Sequence, residues 1–110
     1  APAYASVYFD YDRSYIRESE RSILNETAKY LLQNSAQKVL IEGHCDWKGT
    51  TDYNLALGDR RANSVKSYLI ELGIAPSKID ILSKGDLDSV EGAEDAGRQL
   101  DRRGDVILIP

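Results

Sequence analysis

Leu55, Ala62, Val65, Leu69 and Leu72 follow one another at intervals of seven, three, four and three residues, and Gly73 and Pro76 then end the pattern. That spacing lays one apolar stripe along a helix, with a stop signal where the stripe ends. On either side lie short β-branched-rich runs, Val39-Leu40-Ile41 closing at Gly43, and Ile79 to Ile81. Two strands joined through a long helix must run parallel if they share a sheet, because the helix carries the chain back to where the first strand began. The rest of the chain has to be built around that unit.

Before it, Val7, Phe9 and Tyr11 alternate with Tyr8 and Asp10, which reads as a half-buried strand over residues 7–11. Ile16, Ile23, Leu24, Ala28 and Leu31 then predict a helix over residues 18–34. After the unit, a short helix is expected around Glu94 to Leu100 and a last strand at Val106 to Ile109. The order is βαβαβ(α)β, and the expected fold is α+β, a two-layer α/β sandwich with both long helices on one sheet face. Residues 1–6 are taken as an N-terminal extension and 7–110 as one domain. At 110 residues and 42% hydrophobic content, such a domain can build its core without staples.

Composition excludes several functions. The net charge of −4 and the lack of a basic stripe with interleaved aromatics speak against nucleic acid. The chain has no run near the roughly 20 apolar residues of a membrane span, and no leader pattern. One Cys and one His are too few for a structural zinc site built from nitrogen and sulfur, so neither metal nor cofactor is expected. Residues 86–105 hold seven acids against three Arg, and the acidic stretch Asp86 to Asp95 within them is expected to face solvent or a protein partner rather than an anionic polymer.

The polar segment Asp46 to Asn54 is read as a loop at the carboxyl end of the second strand, where ligands of such sheets bind, with Thr51 or Asp52 capping the helix after it. Its backbone N–H groups favour a carboxylate or phosphate. Arg61, about two turns into the helix, is within reach of Asp46. The pair either forms a plain salt bridge or receives a zwitterion, with Asp46 on the ammonium and the Arg61 fork on the carboxylate. Arg102 or Arg103 is expected to brace Asp46 or meet the same carboxylate. His44 and Cys45 invite a hydrolase reading, but neighbours on a strand point to opposite faces, which separates base from nucleophile.

Several motifs resemble the OmpA-like carboxyl-terminal domain family. Val7-Tyr8-Phe9-Asp10 stands for its F-x-F-D strand and Gly43-His44-Cys45-Asp46 for its G-H-T-D segment. Tyr53-Asn54, Leu57-Gly58, Arg61-Ala62, Val65 and Leu69 follow its long helix, and Arg98, Asp101, Arg102 and Arg103 its closing R-x-x-N-R-R. Cys45, Gly58 and Asp101 depart from the usual Thr, Ser and Asn, and Gly104-Asp105 is an unusual start for the last strand. Within the family the wording is most similar to the peptidoglycan-associated lipoproteins. The resemblance implies non-covalent binding of peptidoglycan through the diaminopimelate of its stem peptide, in the Gram-negative periplasm. It also implies anchoring of the outer membrane through a lipid or other segment outside this sequence, with Tol-system proteins as further partners. Carried over, Asp46 takes the ammonium and Arg61 the carboxylate. His44, Trp47, Lys48, Gly49, Asn54, Leu57 and Arg103 line or brace the site. The alternative is a periplasmic hydrolase cutting the same peptide through Cys45.

Overall fold

Residue parity along four short strands decides which side chains meet the helices. The structure, a computed structural model, describes residues 2–110. Strands β1 (Ala5–Tyr8), β2 (Lys38–His44), β3 (Ile79–Gly85) and β4 (Arg103–Ile109) form one sheet in the order β1-β4-β2-β3. As the crossover argument requires, β2 and β3 are parallel, joined through α2 (Thr51–Glu71). The last strand enters between β1 and β2 and is antiparallel to both. Helix α1 (Arg21–Gln33), led in by a 3-10 turn at Glu18–Glu20, and the short α3 (Asp95–Asp101) complete the elements.

Val7, Val39, Ile41 and Val106 point to one face and are fully buried against Leu24, Ala28 and Leu31 of α1 and Ala62, Val65 and Leu69 of α2. This is the expected two-layer sandwich. A fully buried aliphatic side chain contributes about 1.5–3 kcal/mol, so this cluster is the principal source of stability. The helix side of β2 has no side chain at Gly43, and there α2 sits directly on the strand, since a Cβ on Gly43 would lie 1.7 Å from the Gly58 carbonyl oxygen.

Three boundaries differ from the sequence reading. The first strand spans Ala5–Tyr8, not 7–11. Phe9 stays buried, but Tyr11 is 58% exposed because residues 10–13 turn, with Asp12 at φ 57° and Arg13 N–H bonded to the Asp10 carbonyl at 3.1 Å. Helix α2 begins at Thr51, capped by the Thr50 hydroxyl, which accepts from Tyr53 N–H at 3.1 Å. Asn54 is therefore on the helix and not on the loop. Strand β4 begins at Arg103, three residues before its apolar run, because Gly104 and Asp105 pair with Val7 and Ser6 on one side and with Gly43 and Glu42 on the other. Pairing on both edges overrides the poor strand propensity of Gly and Asp.

Candidate functional site

The carboxyl ends of β1 and β2 and the start of β4 converge beside the first turns of α2. There a narrow cleft of about 40 Å³ is lined by Tyr11, Asp12, Cys45, Asp46, Lys48, Gly49, Tyr53, Asn54, Leu57, Arg61 and Arg102.

Asp46 is 4% exposed. Its Oδ1 accepts from the Lys48 backbone N–H at 3.0 Å, which shapes the loop, and its Oδ2 accepts from Arg102 Nη1 at 3.2 Å. Arg98 Nε approaches the same oxygen to 3.7 Å. Gly49, at φ 94°, turns the loop back towards α2 in a conformation that disfavours any side chain. Asn54 closes the loop by donating Nδ2 to the Lys48 carbonyl at 2.9 Å and to Asp86 Oδ2 at 3.2 Å.

Arg61 is fully buried, and its bonds go to backbone carbonyls and not to Asp46. Its Nε donates to the Arg13 carbonyl at 2.9 Å, Nη1 to the His44 carbonyl at 2.9 Å and Nη2 to the Asp10 carbonyl at 3.1 Å. The guanidinium lies 5.2 Å from the Phe9 ring centroid. Among the described residues Asp46 and Arg61 form no ion pair, so the plain salt bridge is not what the fold builds, although both line the cleft. The 10–13 turn brings two carbonyls to the arginine, and no local signal announced it. A guanidinium has five N–H donors; three are engaged here, which leaves two without a carbonyl partner. Burial holds its pKa below the ordinary guanidinium value, and the neighbouring Arg102 charge pushes the same way.

Of the residues singled out from sequence, Asp46, Lys48, Gly49, Asn54, Leu57 and Arg61 line the cleft. Three others are directed elsewhere. His44 sends its carbonyl to Arg61, but its imidazole lies on the opposite face of the sheet near Glu42 and Asp105. Trp47 turns its Nε1–H to the Ala93 carbonyl at 2.9 Å. Arg103 bonds Asp105 through Nε at 3.0 Å, and the arginine that reaches Asp46 is its neighbour Arg102. Strand parity explains both His44 and Arg103: with Val106 in the core, Gly104 and Arg102 share its side and Arg103 does not. Arg102 was readable by that rule, whereas Tyr11, Asp12 and Tyr53, whose hydroxyl bonds Asp12, were not.

The acidic stretch is not turned wholly away. Asp86 holds Asn54, the Ala93 carbonyl holds Trp47, and Asp95 pairs with Arg98 at 3.1 Å and lies 3.9 Å from Arg102. These contacts place Asp86, Ala93 and Asp95 against the loop and its arginines, while Asp88, Glu91, Glu94 and Asp95 are exposed to solvent, as expected.

Cys45 is buried and donates Sγ–H to the Asn54 carbonyl at 3.2 Å. Burial pushes the thiol pKa up to about 11, so at pH 7.5 only about one thiol in several thousand is ionised. Burial likewise lowers the His44 pKa, helped by the Arg103 charge and opposed by Asp105 and Glu42. A thiol kept neutral and an imidazole on the other side of the sheet do not make a nucleophile and base. The folded protein is expected to react with a disulfide reagent at pH 7.5 at least about a hundredfold more slowly than the denatured chain. Rates within a few-fold would show Cys45 to be open and activated.

The chain was compared with known proteins. The model of the OmpA family matches residues 8–103. The peptidoglycan-associated lipoprotein of Pseudomonas aeruginosa is 41% identical over 83 residues, covering 76% of this chain and 49% of that protein. That of Haemophilus influenzae is 41% identical over 101 residues, covering 91% and 66%. The crystal structure of the peptidoglycan-associated lipoprotein from Burkholderia pseudomallei superposes with a TM-score of 0.91 at 34% identity, covering 96% of this chain and 90% of that one. The chain thus spans about half and about two-thirds of the length of these two relatives.

Proposed function

Since the chain belongs to the OmpA family, we propose that it binds the stem peptide of peptidoglycan non-covalently through diaminopimelate and releases it unchanged. In this reading it holds the outer membrane to the wall from the periplasmic side, with Tol-system proteins as partners. The observation that carries the reading is the cleft itself, which sets one buried carboxylate, Asp46, beside two buried guanidinium groups, Arg61 and Arg102. The distal carbon of diaminopimelate bears an ammonium and a carboxylate together. Asp46 keeps acceptor positions unused by Lys48 and Arg102, because a carboxylate offers about four. Arg61 keeps its two uncommitted N–H groups for the ligand carboxylate, and Arg102 adds charge beside it. The N-terminal turn of α2 contributes its dipole in the same sense.

The neutral, buried Cys45 and the distant His44 imidazole give the hydrolase alternative no support.

Two measurements test the proposal. Asp46→Asn keeps the shape and the bond from Lys48 N–H but removes the charge and the oxygen that accepts from Arg102. It should reduce co-sedimentation with purified sacculi at least about tenfold, consistent with about 2–5 kcal/mol for breaking one half of a desolvated charge pair, with the circular dichroism unchanged. Isothermal titration should give a lysine-type muropeptide at least about tenfold weaker than the diaminopimelate form. Lysine lacks the distal carboxylate and leaves the arginines facing an empty slot. Equal affinities for the two peptides would mean that this carboxylate is not read, and the assignment would fall.

A further inference from the structure

On the sheet face away from the helices and from the cleft, Glu42 and His44 of β2 lie beside Asp105 of β4. His44 Nε2 is 3.5 Å from Glu42 Oε1 and 3.5 Å from Asp105 Oδ2, yet it is hydrogen-bonded to neither and has no other partner among the described residues. The ring is 2% exposed. A buried nitrogen aimed between two carboxylates and bonded to nothing calls for an occupant. We propose that Glu42, His44 and Asp105 hold a first-row divalent transition cation of the Zn²⁺ class.

The distances carry the assignment. A tetrahedral ion with bonds of about 2.0–2.1 Å sets its ligand atoms about 3.3–3.4 Å apart. Two of the three separations here are 3.5 Å, and all three are within 4.8 Å. A small closing movement of the carboxylates completes three corners and leaves the fourth to water. The donor set, one imidazole and two carboxylates, suits zinc and its neighbours, whereas magnesium and calcium prefer oxygen alone.

The surroundings hold the ligands in place. Ser6 Oγ donates to Asp105 Oδ1 at 2.7 Å, and Arg103 Nε bonds both oxygens of that carboxylate at 3.0 Å, which orients it towards His44. Arg103 also sets a positive charge beside the site and weakens it. Two carboxylates against one guanidinium still leave the cluster net negative, so a dication does not enter a positive field. Counting only nitrogen and sulfur ligands in the sequence missed this set, because the carboxylates come from strands far apart in the chain. The site is independent of the stem-peptide reading, which concerns the other side of β2.

The sequence contains one histidine, so the ring signals of His44 report without ambiguity. Protein without a polyhistidine tag, titrated with Zn²⁺ alone, should show saturable shifts of the His44 ring resonances by NMR and one equivalent bound by calorimetry, with no response to Mg²⁺. Glu42→Gln and Asp105→Asn should each weaken Zn²⁺ binding at least tenfold while leaving co-sedimentation with sacculi unchanged. Ring signals that do not move with Zn²⁺ would overturn the site, and so would variants that bind as tightly as the parent. If either variant fails to fold, the ring signals of the parent protein decide alone.

Discussion

Arg61→Ala is expected to destabilise the domain by about 3–5 kcal/mol, enough to leave many domains of this size partly unfolded. The side chain ties three segments together, since its nitrogens donate to carbonyls of Asp10, Arg13 and His44. Removing it leaves those carbonyls short of donors at about 1–3 kcal/mol for each that water cannot reach. It also opens a cavity over Phe9, from which the guanidinium is 5.2 Å. Arg61→Lys keeps a charge, but one ammonium on a flexible stem cannot span three separate carbonyls in a plane, so about half the loss should remain. Urea unfolding of the three proteins measures both. An alanine variant within about 1 kcal/mol of the parent would show that the network is dispensable. This is also why Arg61→Ala is a poor test of ligand binding, and why Asp46→Asn and the choice of peptide are better ones.

Gly43→Ala should cost at least about 3 kcal/mol, the upper end of what overpacking produces, and lower Tm by about 10 °C or more. The new Cβ would sit 1.7 Å from the Gly58 carbonyl oxygen and 2.6 Å from its carbon. Both atoms are backbone in the middle of α2, so relief requires the helix to move off the sheet and to loosen Leu57, Ala62 and Val65 with it. Gly104→Ala is the graded comparison. Its Cβ would meet Val65 Cγ2 at 3.1 Å, a side-chain methyl that yields by a few tenths of an ångström, and a loss near 1 kcal/mol is expected. Calorimetric melting of both variants separates them; equal, small shifts would mean that the contact between α2 and β2 is more pliant than the geometry implies.

Periodicity along the chain determined the elements of this protein. The stripe from Leu55 to Leu72, the β-branched runs at Val39 to Ile41 and Ile79 to Ile81, and the alternation at Val7 and Phe9 each name a helix or strand, because burial of one face is a local property of side-chain spacing. The parallel pairing of β2 with β3 followed from the helix between them. Parity along β2 and β4 also held the correct sides of His44, Arg102 and Arg103; the residues alone left Arg102 and Arg103 both open as the brace of Asp46, the resemblance pointed to Arg103, and the fold brings Arg102 there.

Tertiary structure alone decided the partners. Asp46 pairs with Arg102, 56 residues away, and Arg61 with carbonyls up to 51 residues away. The start of β4 depends on pairing with strands at both edges, and the cluster of Glu42, His44 and Asp105 exists only because β4 enters the sheet beside β2. Hydrogen bonds and ion pairs act over about 3–4 Å whatever the separation in sequence. Their partners are therefore chosen by strand order and register, which no local pattern of apolar residues encodes.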